Sequence, residues 1–450
     1  MKTRSVESRD SLSCYRSSLR PAMSGIFTAP FLSLLLGLGP QPWSARRWTP
    51  GYLIYVSVLM TLDEAEHLKD RFAHARQAVV ALFPGRKRPG TTYQGYVAAR
   101  GRLRRCHQRA IQRQLRERHQ WAAGPYWQRD GWVAFAVDGT RVELPRTAAN
   151  EKAFGCAGRD KTGPQLQLTS LYHLGTGLPW AWQIGAGTES EQVHLCHLAR
   201  RLPVGSLLVA DAGFTSFDLL RSLWQRRVHF LVRMGSNRTL LTGLANIEAQ
   251  IRGELVWLWP KKKQSKYPPL QLRLVRIEPA NRTPMYLATS VLDEQALTDR
   301  QVGQFYRMRW GQEVFHRSFK RTLAQHTMRS DSPAEAKREL EWALIGYLVL
   351  GLWSVSALCA AGHDPVRWSV GESLRVVRAA MRQGGRFGRG TLGRCLRQAV
   401  KDRYVRTGPK AARNWPRKKN DRPPGLPKMR AATEHEKRRA IKTYERLKAT

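Results

Sequence analysis

The stretch 306–320, YRMRWGQEVFHRSFK, spaces a tyrosine, an arginine, a glutamate and a lysine at 306, 309, 313 and 320. On an α-helix, at roughly 100° per residue, those offsets gather Tyr306, Arg309, Glu313 and Lys320 within an arc of about 60°. Phe305, Met308, Phe315 and Phe319 fall on the opposite side. The spacing predicts a helix with an apolar back and a narrow polar front, one carboxylate standing among cationic and phenolic donors. Such a front serves a solvated face as well as a binding surface. The other carboxylates decide what it faces.

Asp138 follows the apolar run Trp132 to Val137 (WVAFAV), and Asp211 follows Leu207 to Ala210 (LLVA). Continuous apolar runs of this kind read as strands buried on both faces. Both aspartates are therefore expected just past the carboxyl ends of short strands, where open α/β sheets place ligands. Either one alone could equally cap the turn that follows it. With Glu313 they make three carboxylates that, converging in one place, repel one another unless cations lie among them, and hard divalent ions, Mg²⁺ above all, suit oxygen ligands of this type. Two such ions about 4 Å apart can activate a water or hydroxyl and stabilise the leaving oxygen of a phosphodiester.

The composition names the class of partner. The 450 residues hold 76 Lys+Arg against 34 Asp+Glu, a net charge of +42. So large an excess repels itself unless a polyanion neutralises it, which puts nucleic acid ahead of any small substrate. Charge alone does not separate DNA from RNA or from an acidic membrane. Apolar residues make up 42% of the chain, which excludes general disorder. The six cysteines (Cys14, Cys106, Cys156, Cys196, Cys359 and Cys395) form no CxxC and suggest neither a disulfide framework nor a zinc finger, as expected in a reducing cytoplasm. His194, Cys196 and His197 lack a second ligand pair nearby.

Two apolar stretches bear on membranes. Residues 26–38 (IFTAPFLSLLLGL) after a basic start imitate an export signal, but the basic lead is long and the charge and unpaired cysteines argue against export. Trp342 to Leu358 is short for a span and holds two glycines and two serines, so a buried core helix is expected.

The elements that must position the site follow in order. Residues 1–45 are poorly defined by pattern, and 46–130 read as helical, with the basic segment RGRLRRCHQRAIQRQLRERH as a possible DNA-contacting surface. Residues 131–234 give three strands, a helix, a strand, a helix and a strand, including a hairpin through Gly175-Thr176-Gly177. Residues 235–290 change character. They hold strand-like runs together with Trp257, Trp259, Lys261, Lys262 and Lys263, a candidate DNA-contacting set in which an indole either stacks on an extruded base or fills a local core. Residues 291–360 return to helix, and 361–450 form a basic region ending in a tail with 17 Lys+Arg against 5 Asp+Glu over 401–450, expected to be flexible.

The order of elements resembles the ribonuclease H-like fold, an α/β core here interrupted by a mainly β insertion. Asp138, Asp211 and Glu313 resemble the DDE set of transposases. Tyr306, Arg309, Glu313 and Lys320 keep every spacing of the Tyr-Arg-Glu-Lys motif of the IS4 family of bacterial insertion-sequence transposases. Asp138-Gly139-Thr140 and Asp211-Ala212-Gly213-Phe214 are similar to that family's first and second motifs, and the likeness covers about 130–345. It implies a DNA-binding recombination enzyme that moves its element by cut-and-paste, with two Mg²⁺ ions (Mn²⁺ able to substitute) on Asp138, Asp211 and Glu313. Tyr306, Arg309 and Lys320 would then hold phosphates. It also implies double-stranded DNA partners (terminal inverted repeats and target), a homodimer on DNA, a hairpin at the excised end and no membrane. Still open are a ribonuclease H-like nuclease without transposition, a DNA-binding relic, which three intact carboxylates oppose, and a membrane protein.

Overall fold

The computed structural model describes residues 18–38, 43, 47–85, 87–157, 163–244, 254–278, 284–383, 391–402 and 425–448. Helices α1 (Leu19–Ile26), α2 (Ala29–Gly37), α3 (Pro50–Leu62), α4 (Leu68–Leu82), α5 (Tyr93–Arg100) and α6 (Arg105–Ala123) come first. Thr49 and Thr92 accept the amides of Tyr52 and Gly95 and so cap α3 and α5. The stretch that imitates an export signal is part of the core. Within it Ile26, Phe27 and Leu35 are fully buried and Phe31 nearly so, and in the helix leading into it Ala22 O accepts from Trp353 Nε1 at 3.0 Å. Residues 18–38 thus have definite structure, contrary to the reading of 1–45.

The strands are β1 (Ala134–Glu143), β2 (Gln165–His173), β3 (Leu178–Ala186), β4 (Leu207–Ala210), β5 (His229–Met234), β6 (Thr239–Thr242), β7 (Glu254–Leu258), β8 (Leu270–Ile277), β9 (Met285–Thr289) and β10 (Lys428–Ala431). They form one ten-stranded sheet in the order β10-β6-β7-β8-β9-β5-β4-β1-β2-β3. β3, β2 and β1 are an antiparallel meander, while β4 and β5 run parallel to β1. β6 to β9 continue the sheet antiparallel from β5, and β10 closes the far edge parallel to β6.

The strands of 235–290 continue the sheet of 131–234 through the β5–β9 pairing. One expectation changes here. The tail is not wholly flexible: β10 joins the sheet, and the helix that ends the described chain packs Ala440 into the same core as Trp257. Parts of both regions, 245–253, 279–283 and 403–424, lie outside the described residues.

Alternation along the strands gives the sheet two apolar faces. On one lie Phe135, Val137, Leu208, Ala210, Phe230 and Val232, covered by α8 (Glu191–Leu198) and α9 (Phe217–Gln225), with the short α7 (Ala148–Phe154) preceding β2. On the other lie Ala134, Ala136, Val209 and Leu231, covered by α10 (Asp299–Met308), α11 (Trp310–Arg317) and α12 (Pro333–Cys359). After them come α13 (Val370–Arg382), α14 (Leu392–Gln398) and the terminal α15 (Glu434–Lys448). α12 is the one described helix long and apolar enough to cross a membrane, and 89% of its apolar window is buried inside the protein. It is a core helix, tied to α6 by Gln112 Nε2 and to β3 by Trp182 Nε1, which donate to Glu341 at 2.7 and 2.9 Å.

Candidate active site

The sheet register builds the site. Ala136 pairs with Val209, and Val209 with Leu231, so these three form one row across β1, β4 and β5. Two residues further along each strand, on the same face by the pleat, the row reads Asp138, Asp211, Arg233. β4 ends at Ala210, and the backbone at Asp211 is still extended. One sequence expectation needs correcting: Asp138 is not past the end of its strand, since β1 continues to Glu143. What ends is its neighbour. Beyond Val209 no β4 residue pairs with β1, and Asp138 faces the gap so left.

Asp138 Oδ1 accepts the Gly139 amide at 2.9 Å, and Asp211 Oδ1 accepts that of Gly213 at 2.8 Å. Asp211 thus caps its turn, as the simpler reading had it, and keeps Oδ2 for another partner. Burial pushes the Asp138 carboxyl up to about 7, and the charges of Asp211 and Glu191 push the same way. A carboxylate so poorly solvated beside a second one favours a cation. Glu191, which the sequence reading passed over, is also raised, by burial and by Asp211. Its carboxylate covers Gly139 from the opposite face of β1: a Cβ at 139 would stand 2.1 Å from Glu191 Oε1 and 2.6 Å from Gln167 Nε2. The Asp-Gly pair is thus explained by close packing.

The polar front comes from a helix with two interruptions. Thr298 and Gln301 form a reciprocal capping box that starts α10. The path runs through Arg309 into α11 and widens into a π-turn at Ser318–Thr322. Phe305, Phe315 and Phe319 are buried as the spacing predicts. At about 1.5–3 kcal/mol for each such ring, this apolar back fixes the helix far more firmly than ion pairs on its front could. Glu313 accepts from Arg309 Nη2 at 2.9 Å. Burial works against the Arg309 charge, yet Tyr306, Glu313, Asp138 and Asp211 together hold its proton more firmly than usual. Its guanidinium also lies 5.6 Å from the Tyr306 ring centre. Tyr306, its own pKa raised by burial, pairs with the side chain of Arg233.

The structure thus brings together Asp138, Asp211, Tyr306, Arg309 and Glu313, and adds Arg233. Among the described residues no group of three His, Cys, Asp or Glu side chains stands ready to hold an ion, and Glu313 is paired with Arg309. The donor chemistry still fits a divalent cation: two adjacent carboxylates, one with a free oxygen, and a third on the next helix. Nε of Arg233 and Nε of Arg309 are buried without partners, as suits groups awaiting an anion. Arg233 could have been read from VHFLVR, where a charge on the inward-facing alternation stands out.

Lys320 is set apart. On the π-turn its charge meets Glu143 at the end of β1, and burial lowers its pKa. Trp257 and Trp259 are not platforms for a base. They are 6% and 3% exposed, inside the core of β6 to β8, with Trp259 Nε1 bonded to Tyr267 O at 2.7 Å. Among the lysines, Lys263 is paired with Asp218 at 2.7 Å, while Lys261 and Lys262 are exposed. The exposed indole near the carboxylates is Trp310, 59% open, immediately after Arg309. His194, one of the three candidate soft ligands, spends both ring nitrogens on Thr169 and Glu189.

Residues 132–349 match the transposase DDE domain family, a span that opens two residues before β1 and encloses Asp138, Asp211 and Glu313. The chain is 25% identical over 311 residues to transposase InsG for insertion sequence element IS4 of Escherichia coli (strain K12), covering 66% of this chain and 69% of that protein. Similar solved structures include the piggyBac transposase synaptic complex with hairpin DNA, at 13% identity and a TM-score of 0.44 over 87% of this chain and 89% of that one. Another is the Mos1 transposase paired-end complex with left transposon end, at 14% identity and a TM-score of 0.17 over 43% and 60%.

Proposed function

We propose that the chain is an IS4-type DDE transposase, an enzyme that cleaves DNA and transfers strands, with Asp138, Asp211 and Glu313 as the acidic residues of its active site. The observation that carries this reading is the row Asp138–Asp211–Arg233 under the front of α10 and α11. The order β3-β2-β1-β4-β5 supports a ribonuclease H-like core, with β6 to β9 as an insertion grown onto its sheet.

Asp138 and Asp211 would hold the divalent cation, with Glu313 as third ligand. A bound Mg²⁺ pair, or Mn²⁺ in its place, supplies Lewis-acid polarisation of the phosphodiester and a nucleophile at neutral pH. The protein's own part is electrostatic. Arg309 holds Glu313 while no phosphate is near. When DNA arrives the guanidinium exchanges that carboxylate for a phosphate, and Glu313 is released toward Asp138 and Asp211. Arg233, steadied by Tyr306, supplies a second phosphate contact, and Lys320 a third one turn further along the strand. Excision by cut-and-paste needs two element ends held at once, which supports a homodimer on double-stranded DNA in the bacterial cytoplasm.

The test is nicking of an end-containing duplex with and without Mg²⁺, beside a gel shift on the same DNA. Asp138→Asn, Asp211→Asn and Glu313→Gln should each lose cleavage by several orders of magnitude while still binding DNA without Mg²⁺. Near-normal cutting by Glu313→Gln would overturn the assignment, and wild-type protein that binds ends but never cuts them would mark a relic.

A further inference from the structure

A buried hydrogen-bond chain leads from α11 to Asp138. Gln312 is fully buried, and its Nε2 lies 2.7 Å from Ser170 O and 3.3 Å from Asp138 O, two carbonyls that fix the amide with its NH₂ group toward β1 and β2. The same Nε2 is 3.0 Å from Ser170 Oγ, which accepts there. Ser170 Oγ lies 3.1 Å from His316 Nε2, and no other acceptor for its hydroxyl proton is seen among the described residues, which assigns that proton to Nε2. A ring nitrogen that accepts carries no proton, so the neutral imidazole has its hydrogen on Nδ1. Nδ1 faces Asp138 Oδ2 at 3.9 Å.

We propose that His316 is a positioning residue for Asp138: its Nδ1–H edge, held in that tautomer by Ser170 and Gln312, stands 3.9 Å from Oδ2, beyond hydrogen-bond length, and attracts it as a dipole that keeps the carboxylate turned toward Asp211 and the cleft. The inference rests on the reading of Asp138 as a metal ligand. Histidine–carboxylate supports of this kind orient a ligand without touching the ion. Gln312 and His316 flank Glu313 on α11, so the same bonds set how deeply that helix lies over β1 and β2. Ser170, directly opposite Asp138 in the β1–β2 register, is where both meet.

The test separates donor from filler. His316→Asn keeps an N–H near the place of Nδ1, whereas His316→Gln reaches Ser170 and leaves Asp138 without a donor. Mn²⁺ is titrated calorimetrically into the full chain bound to an end-containing duplex, with melting temperature as a control on folding. His316→Gln should bind Mn²⁺ about 10–100-fold more weakly than wild type, the range for such outer partners, and His316→Asn within about threefold. Ser170→Ala, which frees the tautomer but keeps the ring, should weaken binding by about tenfold. Wild-type affinity in His316→Gln or in Ser170→Ala overturns the proposal, as does equal weakening of the Asn and Gln variants. Undiminished Mn²⁺ binding by Asp138→Asn would instead overturn the metal assignment beneath it.

Discussion

Replacing Asp138 by Asn should stabilise the metal-free protein, and the gain should depend on pH in a defined way. Its folded carboxyl titrates near 7 against an ordinary value of 3.8. Between those values the folded state keeps a proton that the unfolded state has already released. Stability therefore falls as pH rises through this window, by about 1.4 kcal/mol per pH unit at most. Below pH 4 both states are protonated and the wild type is not penalised; above pH 7 the full penalty applies. The full interval corresponds to roughly 4 kcal/mol. Because 22% of the side chain meets water, solvent screening should reduce it to about 2 kcal/mol. At roughly 2 °C per kcal/mol, Asp138→Asn should melt about 4 °C above wild type at pH 8 in EDTA and level with it at pH 4. Saturating Mg²⁺ should raise the wild-type melting temperature and not the variant's, since a cation bound only by the folded state stabilises it. A difference independent of pH, or a variant that melts lower at pH 8, would refute the reasoning.

Gly139→Ala should destabilise the fold by about 1–3 kcal/mol through overpacking, and Glu191→Ala in the same chain should recover part of it in a double-mutant cycle of denaturant melts. Trp257→Ala should cost about 3–5 kcal/mol as a core truncation, lowering every activity together. Trp310→Ala should leave the melting temperature within about 1 °C, since isolated surface changes cost little, while weakening capture of end DNA in a gel shift. Arg309→Ala should reduce the salt dependence of DNA binding by about one charge; an unchanged slope would place that guanidinium away from phosphate.

The helix of 306–320 was legible because its apolar period outweighs everything else in that stretch, and three buried phenylalanines confirm the spacing. The short buried strands were legible as runs of apolar residues. What pattern could not reveal was pairing at a distance. Asp138 was misplaced within its strand because β1 loses a neighbour there without ending, a property of β4 and not of β1. Arg233 entered the site through the same parallel register. The Trp-rich run of β7 reads equally well as an exposed aromatic face or a small core until the partners on β6 and β8 are known. β10 has only four residues, two of them basic, too few for alternation to show. His316 and Gln312 lie on the legible helix, yet their meaning depends on Ser170, 146 and 142 residues away.

The pairing of β10 with β6 carries a consequence for synthesis and for gene decay. Lys428 pairs with Thr239, and 428 − 239 = 189 residues separate them. At about 5–20 residues per second, the edge of β6 stays bare for roughly 10–40 s after it leaves the ribosome. Asp138, Asp211 and Glu313 are all made before it is covered. A copy of the gene stopped by nonsense mutation near codon 400 would encode every one of those carboxylates and still leave an open strand edge, a template for aggregation. Such a copy would be lost to precipitation before any defect in its chemistry could be seen.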